Sequence, residues 1–284
     1  MIKIISDISE MQAYSKLKRF EGKKIGLVPT MGALHQGHLS LITRALEKAD
    51  IVVVSIFVNP IQFGPKEDFK RYPRVIESDV KLTEKTGAHV VFTPDADKMY
   101  PEGYSTYISV EKVSERLCGK YRPGHFTGVA SVVAKLFNIV MPDIAIFGQK
   151  DAQQLAVIRR MTTDLNMGIE IIGAPIIREL DSLAMSSRNR YLDDEERKQA
   201  AVIYKSLNEA EKFFKSGVKN SGEIIKIVEK IIKESTLAKI EYIEIVDPVF
   251  ITPLDEIDKK ALLAVCVRIG NTRLIDNIIL EEVN

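Results

Sequence analysis

The chain has 284 residues, of which 45% are hydrophobic, and its 40 basic residues nearly balance 39 acidic ones to leave a net charge of +1. This length and composition suffice for one or two globular domains and exclude a disordered chain. The balanced charge creates no overall attraction for nucleic acid or an anionic membrane. Any anionic ligand must therefore be bound by a local arrangement of residues.

The N-terminal sequence MIKIISDISEM lacks the apolar core and cleavage site of a signal peptide, and apolar runs such as IVVVSIFV are too short to span a bilayer. We therefore expect a cytoplasmic protein that binds neither a membrane nor nucleic acid. The two cysteines, Cys118 and Cys266, are far apart and belong to no CxxC or Cys/His cluster. This spacing argues against a disulfide framework and against a structural zinc site.

Up to about residue 175, strand-like apolar runs alternate with segments that have the periodicity of helices. The strand-like runs are KKIGLVP, IVVVSIFV, HVVFTP, DIAIFG and IEIIGAP. This order predicts an α/β fold with a Rossmann-like parallel sheet and helices on both faces. Because ligands bind beyond the carboxyl ends of such strands, we expect the chemistry in the loops after Leu27, Phe57 and Phe147.

Beyond about Tyr191 the pattern changes. Two amphipathic helices are predicted in DDEERKQAAVIYKSLNEAEKFF and SGEIIKIVEKIIKES, and two strands in IEYIEIV and LLAVCVRI. The sequence therefore predicts two domains, a Rossmann-like domain over residues 1–180 and a smaller α+β C-terminal domain over residues 181–284.

The stretch PTMGALHQGH follows the first of these strands and leads into a helix predicted to start near Gly37. Gly32 and Gly37 let the backbone approach a ligand closely, and the N-terminus of the helix favours an anion. His35 and His38 would lie on one side and could both donate hydrogen bonds to a polyphosphate. The alternative is a surface loop with two solvated histidines.

The stretch FVNPIQFGP also follows a strand, and its Asn59 and Gln62 offer amides to the hydroxyl and carboxylate groups of a small substrate. By itself, however, an Asn-Pro pair indicates only a turn.

The stretch FGQKDAQQ follows DIAIFG and opens a helix. Gly148 allows a close backbone turn, Lys150 supplies a mobile cation, and Asp151 can cap the helix and accept ribose hydroxyl groups. Asp151 acting only as a helix cap is the alternative, and the two roles are compatible.

The stretch LAMSSRN supplies two hydroxyl groups and a guanidinium group, on Ser186, Ser187 and Arg188, that suit phosphate oxygens. Taken alone, it is by default a loop of serine and arginine that leads into the helix predicted near Asp193.

In combination, these stretches carry a resemblance to a known family. PTMGALHQGH resembles the HIGH-type signature of the adenylyl-transferring superfamily of class I aminoacyl-tRNA synthetases and nucleotidyltransferases. LAMSSRN resembles the second phosphate loop of that superfamily, with arginine in place of the lysine of KMSKS. Gln36 departs from the aliphatic residue of the HIGH motif, and Ser182 departs from a common glycine.

Within the superfamily, the residue sequences of these motifs are similar to those of the pantothenate synthetase (pantoate–β-alanine ligase) family. RYPR (71–74), RPGHFTG (122–128) and GNTRLIDN (270–277) also match it. The resemblance implies ATP-dependent condensation of (R)-pantoate with β-alanine through a pantoyl adenylate, with release of AMP and pyrophosphate. It further implies Mg²⁺ accompanying ATP, a homodimer, and a C-terminal domain that acts as a lid.

The resemblance also implies roles for individual residues. Catalytic roles fall on His35, His38, Lys150 and Arg188, and substrate contacts on Asn59, Gln62 and Gln154. The implied ATP site consists of Met31, Gly32, Ala33, Leu34, His35, Gln36, Gly37, His38, Gly148, Gln149, Lys150, Asp151, Ile177, Met185, Ser186, Ser187 and Arg188. Arg122 or His125 is a further candidate for an anionic substrate and Asp79 for a magnesium contact, while the metal ligands are otherwise unassigned.

Two alternative functions are compatible with the HxGH loop. One is a nucleotidyltransferase of the same superfamily, although it gives no reason for the amides of FVNPIQF and GQKDAQQ. The other is a non-catalytic sensor of adenine nucleotides, which would bind ATP without making AMP. A tRNA synthetase is disfavoured because the chain is short and shows neither an anticodon-binding domain nor a basic stripe.

Overall fold

The computed structural model describes residues 2–65 and 67–282. The chain folds into two compact units that are not consecutive in sequence. The first unit comprises Met1–Glu111, Arg122–Gln149 and Val157–Pro175, and the second comprises Lys112–Tyr121, Lys150–Ala156 and Ile176–Asn284. The domain limits predicted from the sequence, 1–180 and 181–284, stay predictions.

The first unit is built on a parallel sheet, to which the described residues contribute six strands in the order β1-β4-β3-β2-β5-β6. These strands are β1 (Lys3–Ile5), β2 (Ile25–Thr30), β3 (Ile51–Ile56), β4 (Val90–Phe92), β5 (Ile144–Gly148) and β6 (Glu170–Ala174). Each neighbouring pair runs parallel. The strands are almost continuously apolar because both faces of the sheet are covered. The predicted α/β class with a Rossmann-like parallel sheet is confirmed.

Helices follow the strands in alternation. The helices up to residue 164 are α1 (Ile8–Phe20), α2 (Gln36–Leu46), α3 (Ile76–Thr86), α4 (Ala96–Met99), α5 (Cys118–Tyr121), α6 (His125–Val140) and α7 (Ala152–Asp164). Helix α2 packs Ile42 and Ala45 against Val28 on one face of the sheet. Residue Leu27, also fully buried, points to the opposite face, where α1 and α6 contact β2.

Strand β2 runs through Pro29 and ends at Thr30. Pro29 lies opposite Ser55 of β3, whereas the pairing of β2 with β5 covers only Gly26 and Leu27. The missing N–H of Pro29 therefore falls outside the β2–β5 pairing, where a proline is tolerated in a strand.

The second unit contains an antiparallel sheet in the order β7-β8-β9, formed by Ala238–Val246 (β7), Lys260–Ile269 (β8) and Thr272–Glu281 (β9). Helices α8 (Asp194–Ala200), α9 (Val202–Lys215) and α10 (Ser221–Ile232) precede it. Leu207 of α9 and Val228 of α10 share a buried core with Val265 of β8. The first predicted helix is interrupted at Ala201. Strand β9, which begins at Thr272 within GNTRLIDN, is an additional strand that the sequence patterns do not predict.

Across the part of the chain that the structure describes, every helix is too short or too polar to cross a membrane.

Candidate active site

Three of the sequence motifs begin at neighbouring strand ends. Strands β3, β2 and β5 lie side by side in the sheet. At their carboxyl ends, FVNPIQFGP extends from β3, PTMGALHQGH from β2 and FGQKDAQQ from β5. From β2 the chain first adds β3 and β4 on one side of β2, and it later adds β5 and β6 on the opposite side. Such a reversal of strand order leaves a crevice that binds ligands in open α/β sheets.

The loop between β2 and α2 is held by a buried carboxylate. Asp79 of α3 is 1% exposed, and its two oxygens accept hydrogen bonds of 2.8 Å each from the backbone N–H groups of Ala33 and Leu34. Gly32 has φ +81°, and a Cβ there would lie 2.9 Å from an Asp79 oxygen. The loop therefore requires glycine at position 32 for its conformation and for its space.

His35 and His38 stand together where this loop becomes α2. Their ring centroids are 4.1 Å apart, and the backbone N–H of His35 donates to Nδ1 of His38 across 3.3 Å. Because Nδ1 accepts this bond, the neutral His38 ring carries its proton on Nε2. The positive end of the α2 dipole lies at the same place. This arrangement suits hydrogen bonding to an anion.

The remaining residues predicted to contact ATP in the first unit differ in exposure. Gly32, Ala33 and Leu34 are buried and serve the loop through their backbone. Partly exposed positions are Met31, His35, Gly37, His38, Gly148 and Gln149, and Gln36 is exposed.

Asn59 and Gln62, the predicted substrate contacts, are bonded to each other after β3. Asn59 donates from Nδ2 to Oε1 of Gln62 at 3.0 Å and to the carbonyl oxygen of Gly128 at 3.1 Å, while its Oδ1 accepts from the Tyr100 hydroxyl at 2.7 Å. The amide of Gln62 also lies 2.9 Å from the Met31 sulfur. Asn59 is 1% exposed, so its contacts orient Gln62, and its own contact with substrate stays a prediction.

Helix α6 presses closely on the turn that carries Gln62. A Cβ on Gly128 would lie 2.5 Å from the carbonyl oxygen of Ile61 and 2.6 Å from the Cα of Gln62. Any larger residue would collide with backbone atoms at this point. Gly128, the second glycine of RPGHFTG, is therefore required for the approach of α6.

Arg122 and His125 form hydrogen bonds in the segment that contains Gln62 and Glu67. Arg122 forms a two-pronged ion pair with Glu67, with 2.6 Å for each bond, and lies 2.9 Å from Nε2 of His125. Nδ1 of His125 lies 2.8 Å from the carbonyl oxygen of Gln62. Because arginine only donates, Nε2 accepts and Nδ1 donates to the carbonyl. Contact of Arg122 or His125 with an anionic substrate stays a prediction.

This ion pair changes the acidity of Glu67. Burial by itself raises the pKa of the carboxyl group, but the hydrogen bonds and charge of Arg122 more than offset burial and lower the pKa from 4.5 to about 2. Glu67 is therefore ionised throughout the neutral range and holds Arg122 in place.

The LAMSSRN loop lies in the second unit and has its own supports. Met185 donates its backbone N–H to the carbonyl of Ile177 at 2.9 Å, and the Arg188 N–H donates to Oγ of Ser186 at 3.3 Å. Asn189 donates from Nδ2 to Glu179 at 2.6 Å and to the carbonyl of Ala184 at 3.0 Å. Ser187 is buried, whereas Ile177, Met185, Ser186 and Arg188 are partly exposed.

Lys150, Asp151 and Gln154 also belong to the second unit. The ammonium group of Lys150 lies 3.8 Å from an Asp151 oxygen, and Gln154 is partly exposed on the first turn of α7. Its neighbour Gln153 is buried and donates to the carbonyl oxygens of Val113 at 2.9 Å and Arg116 at 2.7 Å. Of the two adjacent glutamines, Gln153 therefore has a structural role.

Asp79, Tyr100 and Gly128 support the site through contacts that no local sequence pattern reveals. A magnesium contact of Asp79 stays a prediction. The described residues contain no group of three or more His, Cys, Asp or Glu side chains arranged to hold a metal ion.

Comparison with known proteins identifies the family. Residues 3–279 match the family described as Pantoate-beta-alanine ligase. A pantothenate synthetase from Thermoanaerobacter sp. (strain X514) is 55% identical over 280 residues, covering 98% of this chain and 99% of that protein. One from Thermotoga petrophila is 53% identical over 279 residues, covering 98% of this chain and 100% of that protein.

Solved structures agree with this match. A pantothenate synthetase from Thermus thermophilus superimposes with a TM-score of 0.94 and 41% identity, covering 99% of this chain and 100% of that one. A pantoate-beta-alanine ligase from Francisella tularensis, complexed with beta-gamma ATP and beta-alanine, gives a TM-score of 0.81 at 32% identity, covering 100% and 99% of the two chains. Fold and relatives define a ligase built on a Rossmann-like sheet. The chain belongs to the pantoate–β-alanine ligase family, and the resemblance found in the sequence is confirmed.

The close approach of α6 is tested by Gly128→Ala. We expect the added methyl group to push the turn and Gln62 aside, with a loss of about 1–3 kcal/mol in the free energy of unfolding. The KM for the acid substrate should rise about 10-fold, since a misplaced amide forfeits roughly one hydrogen bond. Gly222→Ala in α10 is the control, because a Cβ there would meet, outside its own helix backbone, one side-chain oxygen, that of Asn220 at 3.2 Å. Unchanged kinetics in Gly128→Ala would contradict this role.

The Glu67–Arg122 pair predicts a pH-dependent contribution to stability. Because the pKa of Glu67 is about 2 when folded and 4.5 in the absence of its partners, the stabilisation is complete above pH 4.5 and is lost as the pH falls towards 2. Glu67→Gln should lower the free energy of unfolding by ~2 kcal/mol at pH 7, which is less than the full shift gives because solvent screens this partly exposed pair. The loss at pH 3 should be less than half as large. Urea titrations at both pH values measure this, with exposed Glu102→Gln as the control. An equal loss at both pH values would disprove the assignment.

Proposed function

We propose that this chain catalyses the ATP-dependent condensation of (R)-pantoate with β-alanine to pantothenate, through a pantoyl adenylate and with release of AMP and pyrophosphate. The observation that carries the proposal is the family match over residues 3–279. It is supported by the placement of the HxGH loop and the Gln62 turn after neighbouring strands. These loops offer hydrogen-bond donors for a nucleotide and amides for a small hydroxy acid.

The first half of the proposed reaction is attack of the pantoate carboxylate on the α-phosphorus of ATP. The pyrophosphate then leaves with growing negative charge. In this step His35 and His38 stabilise the pentacovalent phosphate and the departing pyrophosphate, and Nε2 of His38 is the donor. The tautomer set by the His35 N–H supports this role because it keeps the proton on that nitrogen.

Lys150 and Arg188 are assigned to neutralising charge on the phosphates, and Ser186 and Ser187 to donating hydroxyl hydrogen bonds to them. Met31–His38, Gly148–Asp151 and Ile177 with Met185 complete the proposed ATP-binding set, in which the backbone of Ile177 and Met185 frames the adenine. ATP enters as its magnesium complex, since Mg²⁺ is usually held by phosphate oxygens and few protein ligands.

Pantoate is assigned to Gln62 and Gln154, whose amides bind its hydroxyl and carboxylate oxygens. Asn59 and Tyr100 keep the Gln62 amide in one orientation, which supports its use as a positioning group. In the second half-reaction, the amine of β-alanine attacks the carbonyl carbon of the adenylate and expels AMP. This scheme requires donors and oriented substrates rather than a nucleophilic serine or cysteine.

The resemblance also supports proposing a homodimer that acts in the cytoplasm, with the C-terminal domain (181–284) serving as a lid over the bound nucleotide. Its partners would then be ATP, pantoate, β-alanine and a second copy of the chain.

The proposal is tested by incubating the protein with ATP, Mg²⁺, D-pantoate and β-alanine, and by separating AMP from ADP. We expect AMP and pyrophosphate only when both organic substrates are present. Pyrophosphate exchange into ATP should require pantoate but not β-alanine, because the adenylate forms first.

Other outcomes would exclude the proposal in distinct ways. Formation of ADP would exclude attack at the α-phosphorus. ATP binding without turnover would favour a nucleotide sensor, and transfer of AMP to a phosphorylated acceptor without release of free AMP would favour a nucleotidyltransferase.

The role of His38 is tested by two substitutions that separate its ring nitrogens. His38→Asn places an oxygen where Nδ1 accepts the His35 N–H but removes the Nε2 donor. We expect a fall of roughly 10²- to 10⁴-fold in the single-turnover rate of adenylate formation, with stability close to that of the unaltered protein.

His38→Gln is the matched variant, because its amide N–H₂ can reach the position of Nε2. It should retain a faster rate than His38→Asn. Near-normal adenylate formation in His38→Asn would remove Nε2 of His38 from the mechanism.

A further inference from the structure

We propose that Asp276 and Asn277, adjacent residues of β9, position the two phosphate-contacting segments of the second unit, the LAMSSRN loop and Lys150. The inference rests on the proposed function, since it concerns how the ATP groups of that site are held. Both residues belong to GNTRLIDN, a motif that the sequence analysis matched to the family without assigning it a role.

Their placement follows from strand geometry. Asp276 and Asn277 are each 3% exposed, and consecutive side chains of a strand point to opposite faces of the sheet. Asp276 shares its face with Leu274, which packs in the core beneath α9 and α10. Asn277 therefore projects from the other face, towards the segment that contains Lys150.

Asp276 holds the hairpin that leads into the LAMSSRN loop. Arg178 donates two hydrogen bonds to Asp276, from Nη1 at 2.6 Å and from Nη2 at 3.0 Å. The guanidinium group also stacks on Tyr204 of α9, 3.7 Å from the ring centroid. A paired and stacked guanidinium has little rotational freedom, so the backbone at Arg178 is fixed relative to β9.

The hairpin transmits this position to the loop. Arg178 forms an antiparallel bridge with Ala184, and its Nη1 also donates to the carbonyl of Ser182 at 3.2 Å. The bond between the Met185 N–H and the Ile177 carbonyl closes the same hairpin at 2.9 Å. Ser186 to Arg188 follow immediately along the chain. Their starting point is therefore fixed by the ion pair with Asp276.

Asn277 holds the second segment directly. Its Nδ2 donates to the carbonyl oxygen of Lys150 at 3.0 Å, which fixes the backbone from which the Lys150 side chain extends. Its own N–H donates to Oδ1 of Asp276 at 2.8 Å. The Asp276 carboxylate thus bonds both Arg178 and the backbone of Asn277, and together the two residues set Lys150 and the LAMSSRN loop relative to one strand.

The test compares Asn277→Ala with Asn138→Ala. Asn138 likewise donates to a backbone carbonyl, that of Ala134 at 2.8 Å, but lies on α6 in the first unit. Calorimetry measures the Kd for α,β-methylene-ATP and, separately, the Kd for pantoate. We expect Asn277→Ala to weaken binding of the ATP analogue about 5- to 20-fold. Its pantoate Kd should change by less than about twofold, and Asn138→Ala should change neither value.

Asp276→Asn is the second variant, because it keeps the shape of the side chain and removes the charge that pairs with Arg178. It should weaken analogue binding more than Asn277→Ala does, whereas Asp143→Asn, which alters an ion pair with Arg19 in the first unit, should not. If Asp276→Asn fails to fold, the Asn277→Ala result decides the question alone.

Two results would overturn the inference: an unchanged Kd for the analogue in Asn277→Ala, or equal losses for the analogue and pantoate, which would indicate general disruption. These Kd values do not depend on whether the chain catalyses the proposed reaction, because binding is measured without turnover. Absence of AMP formation by the unaltered protein would instead refute the proposed function.

Discussion

The loop between β2 and α2 depends on one buried carboxylate, that of Asp79. Between β2 and α2 the chain leaves the sheet, and the N–H groups of Ala33 and Leu34 lose the neighbouring strand as a partner. Buried N–H groups without acceptors are costly, and Asp79 supplies both acceptors from α3. Because Gly32 packs against the same carboxylate, the conformation of the loop depends on the position of α3. The positions of the histidines in the HxGH motif depend on both.

The turn after β3 that carries Gln62 is held in the same way, but by neutral groups. Asn59 is saturated by Gln62, Tyr100 and the carbonyl of Gly128, so the amide of Gln62 is held by groups that themselves cannot rotate. Helix α6 contributes both the carbonyl and the close approach that Gly128 permits. A side chain held in this way loses little further entropy when it binds a ligand, which is the physical content of preorganisation.

These particular contacts also show why the sequence reveals some features and not others. The apolar runs identify β2, β3 and β5, and thereby the loops at their ends, because a strand buried on both faces consists of consecutive apolar residues. Helix α6 is harder to recognise, since 12 of its 16 residues are buried and only a narrow line of polar residues, which includes Lys135 and Asn138, marks the helical period. Asp79 is likewise undetectable, because its partner Ala33 lies 46 residues away. Local patterns locate the motifs, whereas the groups that hold them in place come from distant segments.

In each unit, a buried aspartate holds a loop in position. Asp79 accepts backbone N–H groups in the first unit, and Asp276 accepts a guanidinium group in the second. An ionised carboxylate is tolerated in the interior only when its oxygens are hydrogen-bonded, so it constrains its partners in distance and direction together. Apolar contacts are non-directional and cannot do this. Loops are ordinarily the most mobile parts of a fold, and directional anchoring by a buried carboxylate explains how these loops can hold polar side chains at fixed positions.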